Sequence, residues 1–437
     1  FSVAPRLMMH ADDIPATGLI QNGSRVSYRL LVAGDDTALP AIARLLDEIR
    51  PGWEMLERNH GSNVIQFHVG PRIVSFLRVH RPESFDDPLA DLRPIVVDGR
   101  SDWPTFAREA ERLIVEEKVS VVFGCWTSAS RRTVRPIFEK HNHLLFYPVQ
   151  YEGLEQSPNI VYTGAAPNQQ IIPAVKWSFD NLGKRFFLVA SDYVFPRSAN
   201  AIIKDQVAAL KGEIVGEEYI LLGSRDVKAV VDKIAQSKPA VILNTLNGDT
   251  NVAFFSELRR AGITPDKIPT MSFSIAEDEL RSMNVKEMAG DYSSWNYFQS
   301  QSNPENIEFV KRVKEKLGAD HVTDDPMEAG YFGVYIWAQA VKSAGSTSVD
   351  AVRTVIPNQS YGAPEGTVYI DAENNHTWKS VRIGKIGGDG QFSIVWESPK
   401  PVRPVPYPIY RTKAEWEKFL SDLYAGWRQH WANPGPS

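Results

Sequence analysis

The stretch that decides the fold is Gly124–Arg131, GCWTSASR, which directly follows the apolar run VSVVF at residues 119–123. A continuous apolar run is typical of a strand buried on both faces of a parallel sheet. The turn after it contains a tryptophan, the chain's one cysteine and three hydroxyl side chains. In open parallel sheets, ligands lie where the carboxyl ends of strands meet the N-termini of helices. The stretch therefore predicts an α/β protein with a ligand site at this sheet edge.

The bulk composition excludes several classes of partner. The chain has 437 residues, which is long for one core and predicts two or more lobes. The hydrophobic fraction is 43% and the formal net charge is −5, so no nucleic-acid partner is expected. No apolar run approaches the roughly 18 residues of a membrane span, so no membrane insertion is expected. The chain starts at Phe1 without a basic-then-apolar leader, which would fit an exported protein whose signal segment has been removed.

Short apolar runs alternate with amphipathic segments from about residue 94 onward, which predicts parallel sheets flanked by helices. The predicted strands are RPIVVDG (93–99), VSVVFG (119–124), LLFYP (144–148), RFFLVAS (185–191), EIVGEEYI (213–220), AVILNTL (240–246) and IPTMSFS (268–274). The most apolar helix begins near Pro326, with Asp324 or Asp325 as its cap. The later runs at 366–386 and 391–398 predict a small antiparallel appendage, followed by a proline-rich tail and one helix.

Polar and aromatic side chains follow several of these predicted strands. They are Tyr147, Gln150 and Tyr151; Ser191, Asp192, Tyr193 and Phe195; Asn244, Asn247 and Asp249; and Ser272, Ser274 and Glu277. Each strand end alone also fits ordinary helix capping, but several together predict one shared cleft. The cleft would be rich in amides and hydroxyls and poor in cations, whereas a phosphate or a strong acid requires Arg or Lys. The pattern therefore favours a neutral, planar ligand with many hydrogen-bonding groups.

Three further groups of residues have a chemical and a structural interpretation. Cys125 with His141 or His143 could act as nucleophile and base, for example in an amidase, but a thiol after an apolar strand is typical of packing. The two histidines without a partner cluster fit surface or turn positions better than a metal site. Asp324, Asp325 and Glu328 fit the capped first turn of a helix better than an acidic site. We therefore expect no enzyme activity, no cofactor and no metal.

Many linked motifs resemble one protein family over roughly residues 94 to 412. The motifs are GCWTSASR, HLLFYPVQYEG, SPNIVYTGAAPNQQ, ASDYVFPRSAN, LNTLNGDTNVAFF, VTDDPMEAGYFGVY, APEGTVYIDAENNHTWKSVRIGKI and VWESPKPVRPVPYP. Together they resemble the urea-binding component of an ABC transporter, which is similar to amide-sensing regulators and branched-chain amino acid binding proteins. The resemblance implies a type I periplasmic binding protein, in which two α/β lobes joined by three crossover segments close over a solute.

The resemblance also implies domain boundaries. Residues 94–163 and 294–345 would form lobe 1, and residues 164–293 and 346–400 would form lobe 2. Residues 401–437 would form a proline-rich tail with a C-terminal helix. Residues 1–93 do not match the strand, Ser/Thr-Gly-rich loop and helix that open the family, so this segment is atypical and could contribute to lobe 1.

Ligand contacts and function follow from the same resemblance. Val149-Gln150 favours the urea branch, because the amide sensors resemble it there with a threonine and a proline. The resemblance implies contacts from Trp126, Thr127, Ser128 and Tyr147 in lobe 1, and from Tyr193, Asn247 and the loop 272–277, with Ser272 and Ser274, in lobe 2. The strand ends add Gln150 and Asp249 as expected ligand contacts. The implied function is periplasmic capture of urea or a related short-chain amide and its delivery to the permease subunits of an ABC transporter. The alternative is a cytosolic amide-sensing regulatory protein of the same fold.

Overall fold

The structure, a computed structural model, describes residues 94–435. The predictions made for residues 1–93 lie outside this range. The first lobe is built on a parallel sheet of order β1-β2-β3. Its strands are β1 (Val122–Phe123), β2 (Leu145–Tyr147) and β3 (Ile160–Tyr162), and its helices are α1 (Trp103–Val115) and α2 (Ser128–Lys140). Asp102 caps α1 by accepting from the Thr105 amide at 2.9 Å, so this helix begins where its sequence signal lies.

The second lobe is built on a seven-stranded sheet of order β5-β4-β6-β7-β8-β12-β13. The strands β4 to β8 pair in parallel, whereas β12 and β13 pair antiparallel at one edge. These strands are β4 (Arg185–Ser191), β5 (Glu213–Ile220), β6 (Val241–Thr245), β7 (Thr270–Ser272), β8 (Tyr292–Trp295), β12 (Arg382–Ile386) and β13 (Phe392–Glu397). Its helices are α3 (Ile171–Asn181), α4 (Val194–Ala209), α5 (Lys228–Ser237), α6 (Thr250–Arg260), α7 (Glu277–Leu280) and α8 (Val285–Met288). The predicted mostly parallel α/β architecture is confirmed.

The helices and strands after residue 300 differ in part from the prediction. They are α9 (Pro304–Leu317), α10 (Asp325–Ala344), α11 (Val349–Val355), β9 (Ser360–Ala363), β10 (Gly366–Ile370), β11 (Thr377–Trp378) and α12 (Lys413–Gly426). The sheet β11-β10-β9 is the expected antiparallel appendage, but β12 and β13 join the main sheet of the second lobe instead. The reason is that β12 pairs with β8, which offers a free edge beside Ser293 and Ser294.

The small antiparallel sheet packs on the first lobe, although residues 346–400 are predicted for the second. Ala363, Val368 and Ile370 share one buried cluster with Phe146 and Val161 of the first sheet. The helix α10 lies in the same cluster and connects the two parts. Among the strands described within residues 346–400, only β12 and β13 belong to the seven-stranded sheet of the second lobe. The boundary between the lobes therefore depends on which strands cover the apolar face of α10, and those strands are distant from α10 in the sequence.

The predicted strand at residues 93–99 is not formed in the described part of this range. Residues 94–98 have no assigned secondary structure, and Ile95 and Val96 are 45% and 69% exposed. Within the described residues, β1 pairs on one side only, with β2. A strand needs a paired neighbour for its backbone groups, so the apolar run alone does not produce one.

Three crossover segments connect the lobes and meet at one hinge. The first lies between β3 and α3, the second between β8 and α9, and the third between β11 and β12. The Asn296 side chain lies in the second crossover and donates to Gln169 O at 3.1 Å and to Ser380 O at 2.7 Å, which lie in the first and third. Asp325 accepts from the Asn296 and Tyr297 amides at 2.9 and 3.0 Å. The hinge is therefore held by hydrogen bonds from one asparagine to both other crossovers.

A buried charged group, the hinge cluster, lies beside these crossovers and consists of Glu328, Glu365, Lys379 and Arg382. Lys379 Nζ lies 3.4 Å from the Glu365 carboxylate and donates to Thr163 O at 2.9 Å. The Glu365 amide donates to Glu328 Oε1 at 3.1 Å, and Arg382 donates to Glu365 O at 3.0 Å. Burial raises the pKa of Glu365 to about 7 and raises the pKa of Glu328 well above its usual range. Both hinge carboxyls thus keep their protons to a higher pH than an ordinary glutamate does.

Among residues 94–435, no helix has the length and apolar character that crossing a membrane requires.

Candidate functional site

The first wall of the candidate site is the turn between β1 and α2 together with the loop after β2. Ser128 begins α2, is 2% exposed and donates from its hydroxyl to the Glu152 carboxylate. Arg131, one turn later, donates to Ser128 Oγ at 3.1 Å and to Glu152 at 3.3 Å. The guanidinium of Arg131 also lies 4.3 Å from the Tyr151 ring centroid and 4.7 Å from that of Tyr147. Ser128 is therefore held by charged groups that burial and hydrogen bonds fix in place.

Two arginines and two glutamates form a buried ionic network behind this wall. Arg131 Nε donates to Glu155 at 2.8 Å, and Arg132 lies 3.2 Å from Glu152 and 3.4 Å from Glu155. Burial alone would raise the pKa of Glu155, but Arg131 and Arg132 outweigh it and bring this pKa to about 2. Arg131 and Arg132 lie near the start of α2, where the helix dipole disfavours cations. The carboxylates of Glu152 and Glu155 offset this unfavourable interaction with the helix dipole.

The second wall consists of the turns that follow β4, β6 and β7. The Tyr193 hydroxyl donates to Asn247 Oδ1 at 2.8 Å, and the Asn247 amide donates to Ser191 Oγ at 3.0 Å. The Ser274 hydroxyl donates to Leu246 O in the turn after β6. Burial raises the pKa of the Tyr193 hydroxyl well above its usual range, and Tyr147 and Glu152 of the first lobe contribute in the same direction. Tyr193 also shares a buried apolar cluster with Ala129 of the first wall.

The two walls are in contact. Gln150 of the first lobe donates from Nε2 to Phe273 O of the second lobe at 3.0 Å. Ala129 and Leu154 share one buried apolar cluster with Tyr193 and Phe273. Because side chains from both lobes pack in one cluster, the structure represents a closed arrangement of the lobes.

Two amide oxygens at this junction lack a partner. Gln150 Oε1 and Gln170 Oε1 are buried and accept no hydrogen bond from any described residue. The Nε2 atoms of the same side chains both donate to Phe273 O, at 3.0 and 3.2 Å. A buried acceptor without a donor costs about 1–3 kcal/mol. A ligand that donates hydrogen bonds here would remove this cost.

The structure places the remaining predicted contacts in different surroundings. The Thr127 hydroxyl caps α2 by accepting from the Ser130 amide at 3.0 Å, and the Trp126 carbonyl accepts from the Tyr147 hydroxyl at 2.8 Å. Ser272 lies in β7 and accepts from the Asn244 side chain at 3.2 Å. The Asp249 side chain is 47% exposed and lies 3.9 Å from Arg225. Ser128 and Tyr147 thus share Arg131, Tyr193 bonds Asn247, and Gln150 reaches Phe273 of the other lobe, whereas the Asp249 side chain is partly exposed.

The interpretation of Cys125 as a nucleophile is not favoured by its surroundings. Burial raises the pKa of the Cys125 thiol to about 12, so the thiolate is not formed at neutral pH. His143 contacts the Val119 carbonyl at 2.6 Å, and His141 contacts Glu111 at 3.2 Å. Within residues 94–435, no group of three or more His, Cys, Asp or Glu residues is placed to hold a metal ion.

Several residues of the site were missed by sequence reasoning. Glu152 and Glu155 follow β2 in VQYEGLEQ, and Gln170 lies in the first crossover. The signal that could have revealed the glutamates is the pair Arg131-Arg132 near a helix N-terminus, which requires nearby anions. No local pattern indicates Gln170, because its role depends on the approach of Phe273, which lies 103 positions later in the chain.

Comparison with known families and curated proteins gives the following matches. A model of the periplasmic binding protein domain matches residues 89–413. A protein described as limonene hydroxylase from Geobacillus stearothermophilus is 36% identical over 124 residues, which are 28% of this chain and 23% of that protein. The uncharacterized ABC transporter permease YbbP of Escherichia coli K12 is 38% identical over 65 residues, 14% of this chain and 8% of that protein. The chain thus spans less than a quarter of each of these curated relatives.

Solved structures share the arrangement of helices and strands at low identity. A solute-binding protein of an ABC transporter from Rhodopseudomonas palustris BisB5, in complex with 3,4-dihydroxybenzoic acid, matches with a TM-score of 0.66 and 22% identity over 71% of this chain and 86% of its own. A solute-binding protein from R. palustris in complex with 4-hydroxybenzoate matches with a TM-score of 0.63 and 20% identity, covering 69% and 84%. An amino acid ABC transporter substrate-binding protein from Pseudomonas fluorescens Pf-5 matches with a TM-score of 0.63 and 19% identity, covering 71% and 86%.

Proposed function

Because the chain belongs to the family of periplasmic binding protein domains, we propose that it captures urea or a related short-chain amide for an ABC transporter. The predicted type I periplasmic binding protein fold is confirmed by the family match and the solved structures. In the proposed role, the lobes close over the solute in the periplasm, and the closed form delivers it to permease subunits. The protein performs no chemistry in this role.

The observation that carries the choice of ligand is the hydrogen-bonding state of the buried groups at the lobe junction. The three guanidinium nitrogens of Arg131 donate hydrogen bonds to Glu155, Ser128 and Glu152. Arg132 is likewise directed at Glu152, Glu155 and two backbone carbonyls. A carboxylate ligand needs a cation or several free donors, and these two cations are already paired.

The unpartnered groups at the junction are acceptors instead. Gln150 Oε1 and Gln170 Oε1 require donors, and the amino groups of urea or a primary amide supply them. A benzoate or another carboxylate would bring further acceptors to a place that already has unpaired ones. This chain shares its fold with the solute-binding proteins that hold hydroxybenzoates and with the amino acid binding protein. Its own site, however, favours a neutral ligand that donates hydrogen bonds.

Calorimetric titration with a panel of ligands tests the proposed class. We expect saturable 1:1 binding of urea or acetamide, and no binding of 4-hydroxybenzoate or leucine, because only the amides donate to Gln150 Oε1 without requiring a free cation. Binding of 4-hydroxybenzoate with no response to the amides would reject the proposal. Fractionation of producing cells separates the alternative, since a cytosolic amide sensor would not occur in the periplasmic fraction.

Two substitutions test the proposed contacts. We expect Ser128→Ala and Tyr193→Ala each to weaken urea binding at least tenfold, or about 1.4 kcal/mol, because each removes a hydroxyl at the lobe junction. Calorimetry measures the change, and Ser343→Ala on the exposed side of α10 serves as the matched control. Affinity equal to that of the control in both variants would remove these residues from the site.

A further inference from the structure

The C-terminal strap, which we define as Trp431–Asn433, lies against the turn that presents Tyr193. Tyr193 and Ala432 form an isolated antiparallel bridge. The Val194 amide donates to Trp431 O at 2.9 Å, and the Asn433 amide donates to Asp192 O at 3.0 Å. Asn433 Nδ2 also donates to Asp192 Oδ2 at 2.6 Å. The strap therefore supplies partners for the backbone on both sides of Tyr193.

The same strap contacts the first lobe through its tryptophan. The guanidinium carbon of Arg132 lies 4.9 Å from the centroid of the Trp431 ring. Arg132 is 6% exposed and contacts Glu152, which accepts from Ser128. The Tyr424 ring lies 4.4 Å from the Trp431 ring, and so helps to hold it in this orientation. One side chain thus connects the second-lobe turn at Tyr193 with the ionic network behind Ser128.

The segment that carries the strap is anchored on both lobes. Before α12, Pro406 O accepts from the Leu154 amide of the first lobe at 2.8 Å. Arg411 then binds Asp205 of α4 in the second lobe through two nitrogens, at 2.6 and 2.9 Å. Trp416 of α12 is fully buried and donates to Pro408 O at 2.9 Å. Because Arg411, just before α12, is bound to the second lobe, the contact of Trp431 with Arg132 bridges the two lobes.

We propose that Trp431 and Asn433 are positioning residues, which fix the Tyr193 turn and fasten the closed arrangement through the contact of Trp431 with Arg132. This inference rests on the proposed capture of a solute by lobe closure. A cation lying over an indole ring contributes more when it is shielded from water, as Arg132 is. Loss of the ring should therefore open the lobes more often and accelerate release of the solute, while solute entry changes little.

The test compares Trp431→Ala, Trp431→Phe and the control Ile409→Ala, whose side chain is 89% exposed in the same tail. With urea as the probe, we expect release from Trp431→Ala to be about tenfold faster with little change in the association rate. Trp431→Phe should release urea at a rate close to that of the wild type, because an aromatic face remains for Arg132. Ile409→Ala should release urea at the wild-type rate.

Two readouts without ligand separate this inference from the proposed function. Small-angle scattering should show a larger radius of gyration for Trp431→Ala than for Trp431→Phe, and hydrogen exchange should be faster at the Val194 amide. If urea does not bind but these two changes occur, the positioning role stands and the choice of ligand fails. If scattering, exchange and release in Trp431→Ala all equal those of Ile409→Ala, the positioning role is wrong.

Discussion

Replacing Arg131 by methionine is expected to lower the free energy of unfolding by roughly 3–5 kcal/mol, because it leaves buried carboxylates without their partner. Arg131 is 0% exposed and bonds Glu155 at 2.8 Å and Glu152 at 3.3 Å. The remaining Arg132 cannot supply the three hydrogen bonds that Arg131 makes. Unfolding by guanidinium chloride, followed by circular dichroism, measures the change; urea is unsuitable as the denaturant because it is the proposed ligand.

The matched control is Arg112→Met on α1. Arg112 is 32% exposed at its side chain and pairs with Glu109 at 2.8 Å. Partly exposed ion pairs of this kind contribute about 0–1 kcal/mol, so the control should change the unfolding midpoint little. If the two variants lose the same stability, the network behind Ser128 is not the buried, fully paired group described above.

The second large effect is the loss, as the pH rises from 5 to 7, of the stability that the protonated Glu365 contributes. Burial raises the pKa of Glu365 to about 7 from an ordinary value of 4.5, so in this window the folded chain keeps a proton that the unfolded chain has released. A raised carboxyl pKa stabilises the fold below the unfolded pKa, and this contribution is lost as the pH rises through the folded pKa. For this one group the loss between pH 5 and 7 is about 2 kcal/mol. Glu328 acts in the same direction.

One buried group acts against this trend. Burial lowers the pKa of His376 to about 4, so between pH 7 and 5 the unfolded chain takes up a proton that the folded chain does not, and this group's contribution to stability rises with pH. Burial lowers the pKa of Lys379, but Glu365, Asp325 and Glu328 together outweigh burial and raise it, and a raised lysine pKa keeps its contribution constant below pH 7. The lowered pKa of Glu155, about 2, makes its contribution constant above pH 5.

Burial also raises the pKa of Glu279 to about 7 and that of Asp291 to about 6, and these two carboxyls act in the same direction as Glu365. The wild-type slope therefore combines several groups, and only a substitution of Glu365 isolates its share.

Glu365→Gln identifies the source of the slope. Guanidinium unfolding at pH 5, 6 and 7 should show a flatter dependence in this variant than in the wild type, with the difference growing by about 2 kcal/mol across the range. Glu373→Gln, at a side chain that is 77% exposed, should keep the wild-type slope. A wild-type slope in Glu365→Gln would show that this carboxyl does not hold the extra proton.

Part of the candidate site is predicted from the sequence, and part is not. Ser128, Tyr147, Gln150, Tyr193 and Asn247 are predicted because polar side chains after parallel strands converge on one edge, and the family resemblance supports all of them except Gln150. The network of Glu152 and Glu155 with Arg131 and Arg132 joins residues about 20 positions apart, so no helical or strand period relates them. Whether a predicted polar residue faces the other lobe, as Gln150 does, or the surface, as Asp249 does, depends on loop geometry.

The sequence by itself determined the order and bounds of many elements. Arg185–Ser191 and Glu213–Ile220 are strands where their apolar and β-branched runs predict them, and Asp324 caps α10 by accepting from the Met327 amide at 2.9 Å. These features depend on interactions within a few residues, which local sequence encodes.

Only the tertiary structure decided the partners of these elements. It placed β9–β11 on the first lobe and β12 and β13 on the second sheet, raised the pKa of Glu365 at the hinge, and brought Trp431 to the turn at Tyr193. The physical reason is that burial, sheet-edge pairing and desolvation depend on which distant segments approach each other, and a run of neighbouring residues does not specify that approach.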